Sequence, residues 1–166
     1  MPWQPGCDDP LRLTAYHEAG HAVMAQLCGQ RITEVEIIGD SEHSGSVRSL
    51  RIHEEQGPDV DPGIPTAPTE RLLLCLVAGM VAEARVSGRR SWDEGCEDLD
   101  AAVRLAMQVV GDCERVLPFL EIARDHTEGL LKNHWPAVEA LASSLIERRR
   151  MTGEEVRRLL APLLPS

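Results

Sequence analysis

The segment His17-Glu18-Ala19-Gly20-His21 sets two imidazoles four positions apart, with a carboxylate directly after the first. On an α-helix, residues at that spacing share a face, about one turn from each other along the axis. Two imidazoles so placed grip a single ion from a rigid support. Zinc suits them, because it accepts neutral imidazole nitrogen and tolerates a partly open tetrahedral shell. Glu18 lies beside that ion without being obliged to bind it. A carboxylate there can take a proton from a water activated at the metal and pass it to a leaving amine. The plain alternative is a surface helix carrying two unrelated histidines, and the setting argues against it. Ala15, Ala19, Gly20 and Ala22 leave almost no side-chain bulk around the pair. Gly20 inside a helix costs about 1 kcal/mol relative to Ala, which makes sense where a neighbouring helix or a substrate must come close to the backbone.

Two histidines hold zinc loosely, and a catalytic zinc normally has three protein ligands and one open position. His43, His53, His126, His134, Glu83 and Asp98 are the candidates for the third, with Cys96 as an outsider. Spacing does not choose among them, because the third ligand can arrive from a distant segment.

The motif needs a helix and a core to hold it. Asp9-Pro10 reads as an N-cap followed by proline at the first helical position. The apolar residues Leu11, Leu13, Ala15, Val23, Met24 and Leu27 then predict a helix ending near Gly29. Arg31 to Ile38 reads as one strand, with Thr33, Val35 and Ile37 alternating with Glu34 and Glu36, and Ser46 to Ile52 as a rougher second one. A free edge of such a sheet could pair with an extended peptide, or the pair is a plain hairpin. Residues 54–68, rich in Pro and Gly, read as a loop. An apolar helix is expected from Thr69 to Val86, closed by Gly88, with Glu83 near its polar end. Ser91 to Glu97 reads as a polar turn. A helix from Glu97 to Val110 follows, with Leu99, Ala102, Val103, Ala106, Met107 and Val110 as its apolar stripe and Asp98 in its first turn, where acidic residues commonly offset the helix dipole. Leu117 to Arg150 is expected to be helical, with Pro136 either starting a new helix or kinking a long one. Arg148-Arg149-Arg150 suits a helix C-terminus. Thr152-Gly153-Glu154-Glu155 is a capping box for a last short helix that ends before Pro162.

At 166 residues the chain is read as a single domain, 1–166, with an irregular stretch at 1–8 and C-terminal helices over 117–161. Aromatics make up only 3%, so the core must come from Leu, Val, Ile and Ala; the fold class expected is mainly α with a small β hairpin or sheet. A net charge of −10 disfavours nucleic acid and anionic membrane surfaces. Five cysteines with no Cys-x-x-Cys argue against a disulfide framework and for a reducing, cytoplasmic setting; Cys28 and Cys75 read as small core residues. The N-terminus shows no basic region followed by an apolar one, so no signal peptide is expected. The longest apolar run, Leu72 to Ala82, is too short to span a bilayer, so no direct membrane insertion is expected.

Leu13 to Val23 resembles the active-site helix of the FtsH-type zinc metallopeptidases, the peptidase halves of membrane-anchored AAA proteases. Ile32 to Gly39 is similar to the strand segment after that helix. Ala78-Gly79-Met80-Val81-Ala82-Glu83 resembles the family's Gly-Gly-Arg-Ala-Ala-Glu, and Gly95-Cys96-Glu97-Asp98-Leu99 its Gly-Ala-x-Asn-Asp-Leu. Leu131 to Leu160 is similar to its closing helices. The resemblance implies a zincin-like helical peptidase domain in which His17, His21 and Asp98 bind one Zn2+ and Glu18 is the catalytic base, with Glu83 in a supporting place near the metal helix. It implies a zinc-dependent endopeptidase acting on unfolded or flexible polypeptides. The family's ATPase module and membrane anchor have no counterpart in these residues, so a separate ATPase or a homo-oligomer is left open as a partner. Ala78, Met80 and Glu97 depart from the family pattern without touching the ligands. The competing reading is a zinc-stabilised binding or adaptor module that no longer cuts.

Overall fold

A computed structural model of the chain describes residues 9–37, 63–89 and 97–165, and the backbone at 52–53. The N-terminal stretch 1–8, most of the expected second strand (46–51), most of the loop (54–62), and the turn at 91–96 with Cys96 lie outside the described residues. So do His43 and the side chain of His53.

Helix α1 (Pro10–Leu27) starts as its sequence dictates, with the Asp9 side chain accepting from the Leu11 amide at 3.1 Å and Pro10 in the first turn. It ends at Cys28, and Gly29 takes the left-handed φ of 73°. From Glu18 to Ala25 every residue is buried, so α1 runs through the middle of the molecule rather than over it. Helix α2 (Pro68–Ser87) begins at the last residue of the expected loop and closes on Gly88, as expected. It lies close against α1. A Cβ on Gly20 would stand 2.6 Å from the Ala78 carbonyl oxygen and 2.7 Å from the Ala82 Cβ. The close approach that Gly20 announced is thus made by a neighbouring helix.

Helix α3 (Glu97–Val110) has the expected bounds but a narrower buried face. Only Ala102 and Ala106 are buried, while Val103 and Met107 are exposed. Helix α4 (Cys113–Asn133) starts earlier than the expected Leu117, because Asp112 caps it by accepting from the Glu114 amide at 3.0 Å. Pro118 is carried on its exposed side. Helix α5 (Trp135–Arg148) is a new helix, not a continuation; its break falls at His134, and Pro136 lies in the first turn, where a missing N–H costs nothing.

Two expectations are corrected beyond this point. The helix does not reach Arg150. It stops at Arg149, whose φ of 67° turns the chain, and Arg150–Thr152 is a strand. The segment Arg31 to Ile38 is not one strand either. It divides into β1 (Arg31–Ile32) and β2 (Glu34–Glu36), with β3 (Ile52–His53) and β4 (Arg150–Thr152) as their respective antiparallel partners. The division has a local cause. The Thr33 carbonyl accepts from the Gly153 amide at 2.7 Å, and Gly153 presses so close that a Cβ there would overlap the Ile32 carbonyl. Helix α6 (Gly153–Leu160) carries the expected capping box between Thr152 and Glu155. The result is a mainly helical domain with small antiparallel strand pairs. Its core is aliphatic: Val23, Met24, Val35, Leu131, Leu141 and Leu145 are among its fully buried side chains. No helix among the described residues is long and apolar enough to cross a membrane.

Candidate metal centre

Helix α1 presents His17 and His21 on one face, as their spacing requires, and α3 brings Asp98 to them from its first turn. His17 Nε2 and His21 Nε2 are 3.0 Å apart. Asp98 Oδ2 is 3.0 Å from the first and 3.1 Å from the second. Three donor atoms therefore form a nearly equilateral triangle.

The far side of each ring fixes its tautomer. His21 Nδ1–H donates to the Cys75 carbonyl on α2 at 2.7 Å. His17 Nδ1–H donates to the Glu83 carboxylate, also on α2, at 3.1 Å. With both Nδ1 atoms protonated, both neutral rings turn the Nε2 lone pair toward each other and toward a carboxylate oxygen. Three acceptors cannot face one point at this range unless a cation or a proton shares it. Two imidazole nitrogens and one carboxylate oxygen are a donor set that zinc accepts, and the three edges are near the separation of about 3.3 Å that bonds of about 2.0–2.1 Å impose in a tetrahedral shell. The cluster of His17, His21 and Asp98 is capable of coordinating a metal ion. A carboxylate or carbonyl behind each ligating imidazole is the usual means of orienting it and raising its basicity.

The electrostatics point the same way. Burial works to lower the pKa of His17, but its hydrogen bonds to Asp98 and Glu83, with the charge of Glu18 beside it, push it up to about 10. Burial works to raise that of Asp98, and the hydrogen bonds and charges of the two imidazoles hold it well below the usual carboxylate range. Without a metal, the cluster keeps a proton where a metal would go. Glu18 is only 3% exposed, and burial pushes its carboxyl up, with His21 and then His17 pulling it back.

Of the sequence candidates, His17, His21 and Asp98 converge, Glu83 stands behind His17, and Glu18 is buried on the same helix. His126 and His134 do not join the cluster; His126 instead donates to the Gly63 carbonyl at 3.0 Å. Sequence reasoning missed the Cys75 carbonyl, since a main-chain acceptor carries no residue signature. It also gave no role to Gly79, whose environment is described below.

No family model matches the chain. Among curated proteins it is similar to the ATP-dependent zinc metalloprotease FTSH 11 of Arabidopsis thaliana, at 28% identity over 93% of this chain and 22% of the relative. It is similar to the ATP-dependent zinc metalloprotease FtsH of Rickettsia bellii at 24% identity, over 93% of this chain and 30% of the relative. It is similar to the ATP-dependent zinc metalloprotease YME1 homolog of Schizosaccharomyces pombe at 26% identity, over 89% and 24%. The chain thus has a distant, family-level similarity to FtsH-type zinc metalloproteases and spans less than a third of the length of these relatives.

Proposed function

We propose that the chain is a zinc-dependent endopeptidase acting on unfolded or flexible polypeptides. The observation that carries this reading is the triangle of His17 Nε2, His21 Nε2 and Asp98 Oδ2, with a buried carboxylate, Glu18, on the same helix. His17, His21 and Asp98 would hold the ion. When bound, zinc supplies Lewis acidity toward the scissile carbonyl and toward water. Glu18 takes the proton of the attacking water and returns it to the departing amide nitrogen. Glu83 and the Cys75 carbonyl hold the Nδ1 side of each ring and would keep the Nε2 atoms aimed at the ion. The relatives are ATP-dependent by name, and that property is not carried to this chain, which spans less than a third of their length.

The test is cleavage of casein by the zinc-loaded chain, run beside a chelated sample and beside Glu18→Gln. The expected loss for Glu18→Gln is about 10²–10⁴-fold with zinc content unchanged. Cleavage at the wild-type rate in that variant overturns the mechanism. A protein that binds zinc, loses thermal stability on chelation and cuts nothing is the adaptor module instead.

A further inference from the structure

Gly79 is buried on α2, and a Cβ built on it would stand 2.4 Å from His21 Nε2, 2.6 Å from His17 Nε2 and 2.6 Å from His17 Cδ2. Its three nearest neighbours are thus atoms of the two imidazoles, and two of the three are the donor nitrogens themselves. Cys75, whose carbonyl receives His21 Nδ1–H, lies one turn earlier on the same helix. The His21 ring therefore rests along a single turn of α2, with one nitrogen tied to the Cys75 carbonyl and the other against the bare Cα of Gly79. We infer that Gly79 is a positioning residue for the metal: its missing side chain is the space in which both donor nitrogens meet the ion. Even a methyl group at 79 forces one ring to rotate away from the shared point or to give up its Nδ1 partner. The inference rests on the proposed metal site and adds a residue that binds nothing itself.

Other glycines make the control. A Cβ on Gly20 meets the Ala78 backbone carbonyl, so Gly20→Ala strains the contact between α1 and α2 without touching a donor atom. Gly129, inside α4, has open space around it.

The experiment compares the full chain with Gly79→Ala, Gly20→Ala and Gly129→Ala by zinc affinity, by the visible spectrum of the cobalt-substituted protein, and by thermal melting in chelator. Gly79→Ala is expected to bind zinc about 100-fold more weakly and to lose the tetrahedral cobalt spectrum. Gly20→Ala is expected to lower the chelated melting point. Gly129→Ala is expected to bind zinc as the wild type does. Wild-type zinc affinity in Gly79→Ala overturns the inference and leaves the metal site standing. A wild type that binds no zinc overturns both. Should Gly79→Ala fail to fold, the pair His17→Ala/His21→Ala and His17→Ala/His21→Ala/Gly79→Ala decides, since a Cβ at 79 meets both rings. Equal melting of the two supports imidazole crowding as the fault, and failure of the triple variant alone assigns Gly79 to helix packing and sinks the inference.

Discussion

Two corners of the molecule are built on the same device and used oppositely. Where α1 meets α2, Gly20 lies on the Ala78 carbonyl; where β1 and β2 meet α6, Gly153 lies on the Ile32 carbonyl. In the second corner only neutral groups are buried. Met151 and Val156 fill the interior, and the charged partners, Arg150 with Glu34 and Arg148 with Glu155, remain at the surface. In the first corner, close packing draws His21 and Glu18 inside, at 7% and 3% exposure, with His17 and Asp98 beside them. Close backbone approach serves a fold in one place and concentrates charge in the other. Buried charge is costly unless it is paired or coordinates a metal, so the α1–α2 corner is the part of this protein whose stability must answer to ions and protons.

That contrast can be broken at several points. The largest effect is expected from Asp98→Ala, which removes one corner of the donor triangle and two of its three edges. Zinc at a thousand times its dissociation constant stabilises a native site by about 4 kcal/mol, and this gain should vanish in the variant, read as a melting point indifferent to added zinc. Full zinc occupancy in Asp98→Ala contradicts the ligand assignment.

A pH titration of the chelated protein comes next. The folded pKa of His17, about 10, lies above its ordinary 6.5. Its contribution is therefore fully present below pH 6.5 and is lost as pH rises toward 10. The chelated wild type should melt at progressively lower temperature across that window. His17→Gln should flatten the curve, and so should zinc, which takes the proton's place. The depressed pKa of Asp98 has the opposite sign, its contribution being lost only in strong acid, outside the window. A flat profile for the chelated wild type would show that His17 and its two carboxylates do not interact as described.

The smallest effect belongs to the other corner. Thr152→Ala removes the side chain that accepts from the Glu155 amide at 3.3 Å. It should cost about 1 kcal/mol, equally with and without zinc. A zinc-dependent cost would mean that the two corners are coupled.

Much of this division can be read from residue types. Asp9-Pro10 and Gly29 bound α1, and the capping box at Thr152 opens α6, because such signals act within a few residues. The two histidines announce their shared face for the same reason. Arg150-Met151-Thr152 carries no local mark of a strand; it becomes one because β2 needs a partner, which is settled by tertiary contact. Likewise Glu83 meets His17 across 66 positions, and Asp98 meets His21 across 77. Spacing left the third ligand open among six residues and an outsider, and Asp98 was singled out only through family resemblance. The narrow buried stripe of α3 is not legible in the sequence, because Val103 and Met107 look like core residues until their surroundings are known.

That last helix has a mechanical consequence. α3 packs on the body of the protein through Ala102 and Ala106, its only fully buried side chains, with Leu105 half-buried beside them, and contributes Asp98 from its first turn. An ion bound there would also be a rivet through the end of a helix with a narrow buried face. Whatever pulled it out would loosen the end of α3, and whatever steadied α3, even along its outer surface, would keep the rivet in.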